Sequence, residues 1–459
     1  MNRCAVLLAA GNGTRMKSAG PKVLGEVLFK PMICWVVDNC REAGIEDLCA
    51  VVGQGAEAVC AVLPQGCQTV YQAQRKGTGH AVLCAKDYLE RHRGQDVLIA
   101  CGDAPFVAPE VIARALEAHR REQAAATVIT ALLEDPSGYG RIVRSKEGAL
   151  EAIVEEKDAS PAIRQIREVN SGAYWFQADA LLESLEQLRC ANSQGEYYLT
   201  DTVAILRREG RKVQACLAGD QYTVMGANDR RGLQRLNEIA RRRVLDRLLD
   251  EGVDIPFEDG VIVGPEVQVG RDTRLLPGTV LRGRTTVGEG CVIGPRAQVE
   301  ESQIGDRCQV RDTYLLSSVL EEGVEIGPYC RVRPGSRIGK GVKIGNFVEV
   351  KNSQLGEGTK VAHLTYVGDS DVGSRVNFGC GTVTVNYDGF HKHRTTIGDD
   401  VFVGCNANLV APVTIGDGSY IAAGSTVTVD TPADALLIAR SRETIKEGRA
   451  AQMRKKAGC

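Results

Sequence analysis

A chain of 459 residues with a formal net charge of -2 has room for two or three domains, and its balanced charge gives no reason to seek a nucleic-acid or membrane-surface partner. Charged residues at 25% and hydrophobic ones at 43% exclude a disordered chain and fit an ordinary globular protein. Glycine stands in excess at 51 residues while aromatics fall to 5%, a bias that needs an architectural cause.

The chain opens on an apolar run, "CAVLLAA" (4–10). It is at the short limit for a signal-peptide core, and glycines and basic residues follow at once, so a buried parallel strand is expected. The loop after it, "GNGTRMKSAGPK" (11–22), is neither a Walker loop nor a dinucleotide fingerprint: no Gly-Lys-Ser/Thr follows, and Met16 stands where a third glycine would. It reads as a phosphate loop of another kind or as a plain turn. Beyond it, strand-like and helical stretches alternate to about Asn228. "KPMICWVVDNCREAG" is a helix, "DLCAVVG" a strand, "GTGHAVLCAKDYLERHR" a helix and "DVLIACGD" a strand. "PEVIARALEAHRRE" is then a helix and "ATVITALL" a strand. Such alternation predicts βαβ units, a parallel sheet with helices on both faces, and ligands at the carboxyl ends of the strands. The opening loop, "CGDAP" and the loop after "TALL" lie at those ends.

Residues 229–250 predict a helix with Leu233, Leu236, Ala240, Leu245 and Leu248 on one face and seven arginines on the others. A solvated linker helix is the expected reading, with a nucleic-acid patch as the alternative. From Gly252 the period changes. Aliphatic-Gly pairs recur every six residues, as at Val263-Gly264 and Val269-Gly270, then Val287-Gly288 and Ile293-Gly294. Val332, Ile338, Ile344 and Val350 keep the step, as do Ile397, Val403, Leu409, Ile415, Ile421 and Val427. One inward aliphatic and one small residue per six predict a parallel β-helix and account for the glycine excess. The 16 cysteines form no Cys-x-x-Cys pair and no zinc-spaced cluster, and Cys34, Cys84 and Cys101 sit in apolar runs. Free thiols in a reducing cytoplasm are expected, and no run is long enough to span a bilayer.

Ten motifs, met in order, extend over nearly the whole chain: "LAAGNGTRMKS..PK", "YQAQRKGTGHA", "CGDAP", "GYGRIV", "IVEEKDA", "EVNSG", "GEYYLTD", "VKNSQLGEGTKVAHLTYVGDSDVG", "GCGTVTVNYDG" and "IGDDVFVG". With them the sequence resembles the bacterial family of bifunctional N-acetylglucosamine-1-phosphate uridyltransferases/glucosamine-1-phosphate acetyltransferases. The resemblance implies a Rossmann-like nucleotidyltransferase domain at 1–228, a linker helix at 229–250, and a left-handed parallel β-helix of hexapeptide repeats with a C-terminal arm at 251–459. It also implies Mg²⁺, UTP and acetyl-CoA, the two sugar phosphates, a homotrimer and a cytoplasmic location.

For uridylyl transfer, Gly11 and Gly13 suit close backbone approach to phosphates, and Arg15 and Lys22 suit charge beside a triphosphate. By resemblance Leu8, Ala9, Ala10, Gln72, Gly77 and Thr78 contact the nucleotide, together with Cys101, where the family has a tyrosine, and Gly102. Gly140, Glu155 and Asn170 contact the sugar. Asp103, by itself readable as a turn cap, pairs by resemblance with Asn228 as the Mg²⁺ ligands; a carboxylate and an amide oxygen suit that hard ion. For acetyl transfer the resemblance makes His363 the general base; Glu349 is expected, apart from the resemblance, to orient it. Arg333, Lys351, Tyr366, Asn377 and Lys392 meet the sugar phosphate. Cys380, Asn386, Tyr387, Cys405, Ala423 and Arg440 meet acetyl-CoA; Cys405 replaces a serine and is a weaker hydrogen-bonding group. Two other readings compete: a sugar-1-phosphate nucleotidyltransferase with a merely regulatory β-helix, and a non-catalytic assembly subunit. The first lacks the "HLTYVGDS" and "NYDG" pair, and the second is expected to lose Arg15, Lys22, Asp103 and Asn228.

Overall fold

The computed structural model describes residues 3–11 and 13–457. Contacts divide the chain into two compact units, Met1–Ala240 and Arg241–Cys459. The first is built on a sheet of nine strands: β1 (Arg3–Ala9), β2 (Asp47–Val52), β3 (Gln68–Tyr71), β4 (Asp96–Cys101), β5 (Ala126–Leu132), β6 (Arg141–Arg144), β7 (Leu150–Val154), β8 (Glu168–Gln177) and β9 (Val213–Leu217). The path runs β9-β5-β8-β4-β1-β2-β3, with the β6/β7 hairpin attached to β8. Helices cover both faces. Ile33, Val36, Ile112 and Leu116 pack on one, and Val82, Leu89, Leu181, Val203 and Leu206 on the other.

The sheet is mixed rather than parallel. β8 runs antiparallel to both β4 and β5, and Glu168 at its start faces Leu132 at the end of β5. The cause is local: the chain leaves β5, makes the β6/β7 hairpin at that same end, and so re-enters the sheet in the opposite direction. The single helix expected over 77–93 is two, Thr78–Cys84 and Lys86–Arg91. Between them the Ala85 N–H bonds to the Val82 carbonyl at 2.9 Å, a tighter three-residue turn.

The helix Arg230–Asp250 buries Leu236, Ala240, Val244, Leu245 and Leu248. Several of its arginines are engaged locally. Arg230 donates to the Met16 carbonyl at 3.0 Å, Arg241 to the Val261 carbonyl at 2.7 Å, and Arg242 pairs with Asp246 at 2.8 Å and Glu258 at 2.9 Å.

The second unit is a left-handed parallel β-helix of hexapeptide repeats. Three sheets of ten, nine and ten short strands form its flat sides, each strand pairing with the strand one coil on. All fourteen aliphatics of the six-residue series are buried, from Val263 at 0% exposure to Val269 at 9%. Glycine is forced where coils stack closely: a Cβ on Gly356 would lie 2.4 Å from the carbonyl carbon of Gly373. Register partners one coil apart are separated by 18 residues at Leu281/Val299 but by 25 at Thr384/Leu409. The extra length is a loop, Asn386–Arg394, thrown out from the prism. Every described cysteine is a free thiol, and no described helix is long and apolar enough to cross a membrane.

Candidate active sites

In the first unit the predicted nucleotide residues gather where β1, β3 and β4 end. Lys22 crosses under the glycine loop. A Cβ on Gly13 (φ +55°) would lie 2.5 Å from the Lys22 Cβ, and one on Gly11 3.3 Å from its Cε. The glycines are therefore required by the lysine's path as well as by any phosphate. The Lys22 ammonium forms a close ion pair with Asp103 and donates to Asn228 Oδ1 at 3.2 Å. Two residues separated widely in sequence thus turn oxygens toward one cationic point. Gly102 holds β4 against β1: its N–H bonds to the Leu8 carbonyl at 3.0 Å, and a Cβ would lie 2.7 Å from Ile33 Cδ1. Ala9 and Ala10 are buried beside it, and Arg15 is exposed on a short turn of 3₁₀ helix.

Gln72 is buried just past the end of β3, its amide nitrogen 3.3 Å from the Gly77 carbonyl and 3.0 Å from His80 Nδ1. Gly77 (φ +98°) could carry no side chain, since a Cβ would lie 2.6 Å from the Tyr197 carbonyl. The Thr78 hydroxyl accepts from the Leu199 N–H at 3.1 Å, which ties this turn to "GEYYLTD".

The antiparallel β8 delivers the sugar residues. Asn170 lies on it just before a register break, and its N–H bonds to the Gly140 carbonyl at 2.9 Å. Gly140 leaves room for Glu155, whose carboxylate oxygens would be 3.4 Å from a Cβ placed there. Burial raises the Glu155 carboxyl above its ordinary range, opposed by a 3.3 Å hydrogen bond from the Thr200 hydroxyl. Gly172 (φ +76°), in the break, passes over Cys101, where a Cβ would lie 2.8 Å from Sγ. Burial pushes the Cys101 thiol up to about 12.

In the second unit, Asn346 and His363 are register partners on adjacent coils. His363 Nδ1 is 2.8 Å from the Asn346 amide oxygen. An amide oxygen accepts only, so Nδ1 carries the proton and Nε2 keeps its lone pair for an outside group. Glu349, expected as the orienting group, is turned away and accepts from Arg333 at 3.0 Å. The only sequence signal for Asn346 is its place one coil upstream of the histidine. Extending the register, Cys380, Cys405 and Ala423 follow His363 on successive coils, and Arg440 donates to the Ala423 carbonyl at 3.0 Å.

Around the coil from His363, Arg333 and Lys351 stack beside Tyr366. Tyr366 lies over Gly368, where a Cβ would fall 2.3 Å from its hydroxyl. Lys392, on the thrown-out loop, approaches Lys351. Its ammonium is pulled down by hydrogen bonding and repulsion from Lys351, while that contact and Asp369 hold Lys351 up. Two ammonium groups and a guanidinium so close make a site for an anion. Asn377 is half-buried on the neighbouring flat side, and Tyr387 is exposed, with its hydroxyl donating to the Gly389 carbonyl at 2.6 Å. Asp369, which no motif in the sequence singles out, joins Lys351 at 3.1 Å, Asn352 at 2.6 Å and Asn386.

Residues 5–196 match the family profile of the MobA-like NTP transferase domain, and 317–352 and 394–428 match the bacterial transferase hexapeptide (six repeats). Bifunctional protein GlmU of Halalkalibacterium halodurans is 47% identical, over 97% of this chain and 98% of that one. Those of Acetivibrio thermocellus (46% identical, 96% of each chain) and Geobacillus sp. (46%, 97% of each) are similar throughout as well.

Proposed function

Since the chain belongs to the bifunctional GlmU family, an enzyme family of UDP-N-acetylglucosamine synthesis, we propose that segment 1–228 carries uridylyl transfer and 251–459 acetyl transfer, joined by 229–250. The observation that carries the reading is that two separate constellations, each chemically complete for one reaction, lie in two separate units.

Acetyl transfer comes first. Arg333, Lys351 and Lys392 bind the phosphate of glucosamine 1-phosphate, and Tyr366 and Asn377 bind its sugar. His363 Nε2 removes a proton from the ammonium, whose nitrogen then attacks the thioester carbonyl of acetyl-CoA. The nitrogen of the tetrahedral intermediate loses its second proton to solvent, and collapse expels the CoA sulfur, which takes up the proton held by His363. Asn386, Tyr387 and Arg440, with the coil edge at Cys380, Cys405 and Ala423, hold acetyl-CoA. Backbone groups serve at Cys405, where a thiol is a poor donor.

In uridylyl transfer, a phosphate oxygen of N-acetylglucosamine 1-phosphate attacks the α-phosphorus of UTP and pyrophosphate leaves. The glycine loop, with Leu8, Ala9 and Ala10, lies along the nucleotide; Gln72, Gly77 and Thr78 contact its base end; Cys101 and Gly102 contribute main chain. Glu155, Asn170 and the Gly140 backbone orient the sugar. Arg15 and Lys22 offset charge as the anions meet. Asp103 and Asn228 fit Mg²⁺, since both already turn oxygens to the Lys22 ammonium, a cation in the same place. Among the described residues no cluster of three His, Cys, Asp or Glu side chains would hold a metal; Asp103 and Asn228 would hold Mg²⁺ together with substrate phosphates and water. When bound, Mg²⁺ supplies charge neutralisation on the triphosphate.

We further propose a homotrimer, supported by exposed apolar side chains on the prism: Tyr329, Phe347 and Leu364 in one group, and stacked Phe402 and Tyr420 with Leu436 in another. A cytoplasmic location follows from the cosubstrates UTP and acetyl-CoA and from the free thiols. Purified enzyme is expected to release CoA from acetyl-CoA plus glucosamine 1-phosphate. With UTP, N-acetylglucosamine 1-phosphate and Mg²⁺ it is expected to release pyrophosphate; a chain that releases neither contradicts the reading.

A further inference from the structure

The loop of residues 386–394 is anchored to the β-helix at its two ends, Asn386 on the Asp369 carboxylate and Arg394 on the Asp371 carboxylate. It closes on itself by a bridge between Tyr387 and Lys392, and Asp388 caps its tip, accepting from the N–H groups of Phe390 at 2.7 Å and His391 at 2.6 Å and bonding His393 at 2.8 Å. That organises the loop internally but does not fix it to the prism. The fixing is at the roots. At one root the Asn386 amide nitrogen donates to Asp369 Oδ2 and lies 3.4 Å from the Tyr366 hydroxyl; at the other the Thr395 N–H bonds to the Asp369 carbonyl at 3.2 Å, and Arg394 donates to Asp371 at 2.8 Å and to the Asn352 carbonyl at 3.3 Å.

Asp369 is 5% exposed, in the left-handed region (φ +48°), and its own N–H bonds to the Lys351 carbonyl at 2.9 Å. Its carboxylate receives three donors: Asn352 at 2.6 Å on Oδ1, and Lys351 at 3.1 Å and Asn386 on Oδ2. Burial pushes this carboxyl up, but the bonds from Asn352, Lys351 and Asn386 outweigh it and hold it below the usual range. A buried carboxylate so fully partnered leaves its donors little freedom.

Two of those donors belong to different substrates. Lys351 is assigned to the sugar phosphate and Asn386 to acetyl-CoA, and they share one oxygen atom. Lys392, on the loop that this carboxylate holds at its Asn386 end, completes the phosphate site. We propose that Asp369 is a positioning residue that sets the sugar-phosphate lysines and the acetyl-CoA loop in one arrangement, so that binding of either substrate favours binding of the other. The proposal rests on the acetyltransferase reading and deepens it. The phosphate draws Lys351 and Lys392 together against their repulsion, which seats the loop and with it Asn386. Acetyl-CoA on Asn386 seats the same loop from the other side.

The charges around Asp369 make its role separable from simple bracing. Lys351 and Arg394 lie next to it, with Lys392, Arg333 and the Tyr366 hydroxyl beyond. Asp369 opposes the repulsion that pulls Lys392 down. Asp369→Asn keeps size and removes that anion, so Lys392 loses its proton at lower pH.

The test is steady-state acetyl transfer by wild type, Asp369→Asn and Lys351→Ala, read as CoA release, with melting of the β-helix followed by circular dichroism as the folding control. Asp369→Asn is expected to raise the KM of both substrates about tenfold, with kcat within about threefold, a loss equal to one hydrogen-bonded charge contact. The alkaline limb of kcat/KM for glucosamine 1-phosphate is expected to move to lower pH. Lys351→Ala is expected to raise the KM for glucosamine 1-phosphate most and to abolish the fall in the acetyl-CoA KM that added glucosamine 1-phosphate produces in wild type. An Asp369→Asn enzyme that melts normally but changes one KM only, or whose alkaline limb stays in place, overturns the proposal. A wild-type enzyme that never releases CoA overturns the acetyltransferase reading itself, a distinct result.

Discussion

Lys22 illustrates how much one residue's path explains. Its stem requires glycine at 13, and its ammonium brings Asp103 and Asn228 to one point. Gly13→Ala puts a Cβ into the lysine and into an unfavourable φ; we expect uridylyl transfer to fall at least about tenfold while acetyl transfer is unchanged, as parallel assays of pyrophosphate and CoA release would record. His119 carries a prediction of another kind. It is 1% exposed, bonded through Nδ1 to Thr127 at 2.9 Å, with Nε2 unpartnered and 3.6 Å from Asp96. Burial pulls its pKa down to about 4 from an ordinary 6.5. The unfolded chain therefore takes up a proton that the folded chain refuses. This stabilisation is complete above about pH 6.5 and is lost as the pH falls from there toward 4. Melting temperature should drop across that window, and His119→Gln should flatten the drop; equal acid slopes for both proteins would contradict it. Individual residues are the least legible scale in the sequence. His363 and Lys22 stand inside recognisable motifs; Asp369 does too, but its role, like that of Asn346 outside them, is defined by what lies one coil away. Glu349 is not the orienting group that the sequence suggests, because Arg333 holds it.

At the scale of elements, regular periods are readable and excursions are not. A six-residue step leaves one interpretation, and its aliphatics are the buried ladder. The strands at the start of the chain are likewise plain, because parallel central strands are continuous apolar runs. The antiparallel β8 is hidden: its direction depends on the β6/β7 hairpin, and no local pattern in "EVNSG" records direction. That excursion is what brings Gly140, Glu155 and Asn170 together. The loop Asn386–Arg394 is a second excursion with the same effect in the other unit. Replacing Val350, fully buried in the ladder, by Asp places an unpaired charge among stacked aliphatics. We expect the β-helix transition to fall by on the order of 10 °C. Lys343→Gln, on the exposed side of a strand, should leave the transition near wild type; calorimetry distinguishes the two.

For the whole molecule, the account is of two catalysts on one chain. Two compact units with separate constellations are expected to be disabled one at a time. Association is expected through the apolar groups at Tyr329/Phe347/Leu364 and Phe402/Tyr420/Leu436, so sedimentation should report a trimer, and Phe402→Asp with Tyr420→Asp should weaken it and lower acetyl transfer together. A fully active monomer at micromolar concentration would contradict that. The central claim is tested most directly by measuring both reactions on the same preparations of His363→Ala and Asp103→Ala. The account predicts that His363→Ala releases pyrophosphate at the wild-type rate but little CoA, and that Asp103→Ala does the reverse. Loss of both reactions in either variant, with the fold intact, would contradict the assignment of one reaction to each unit.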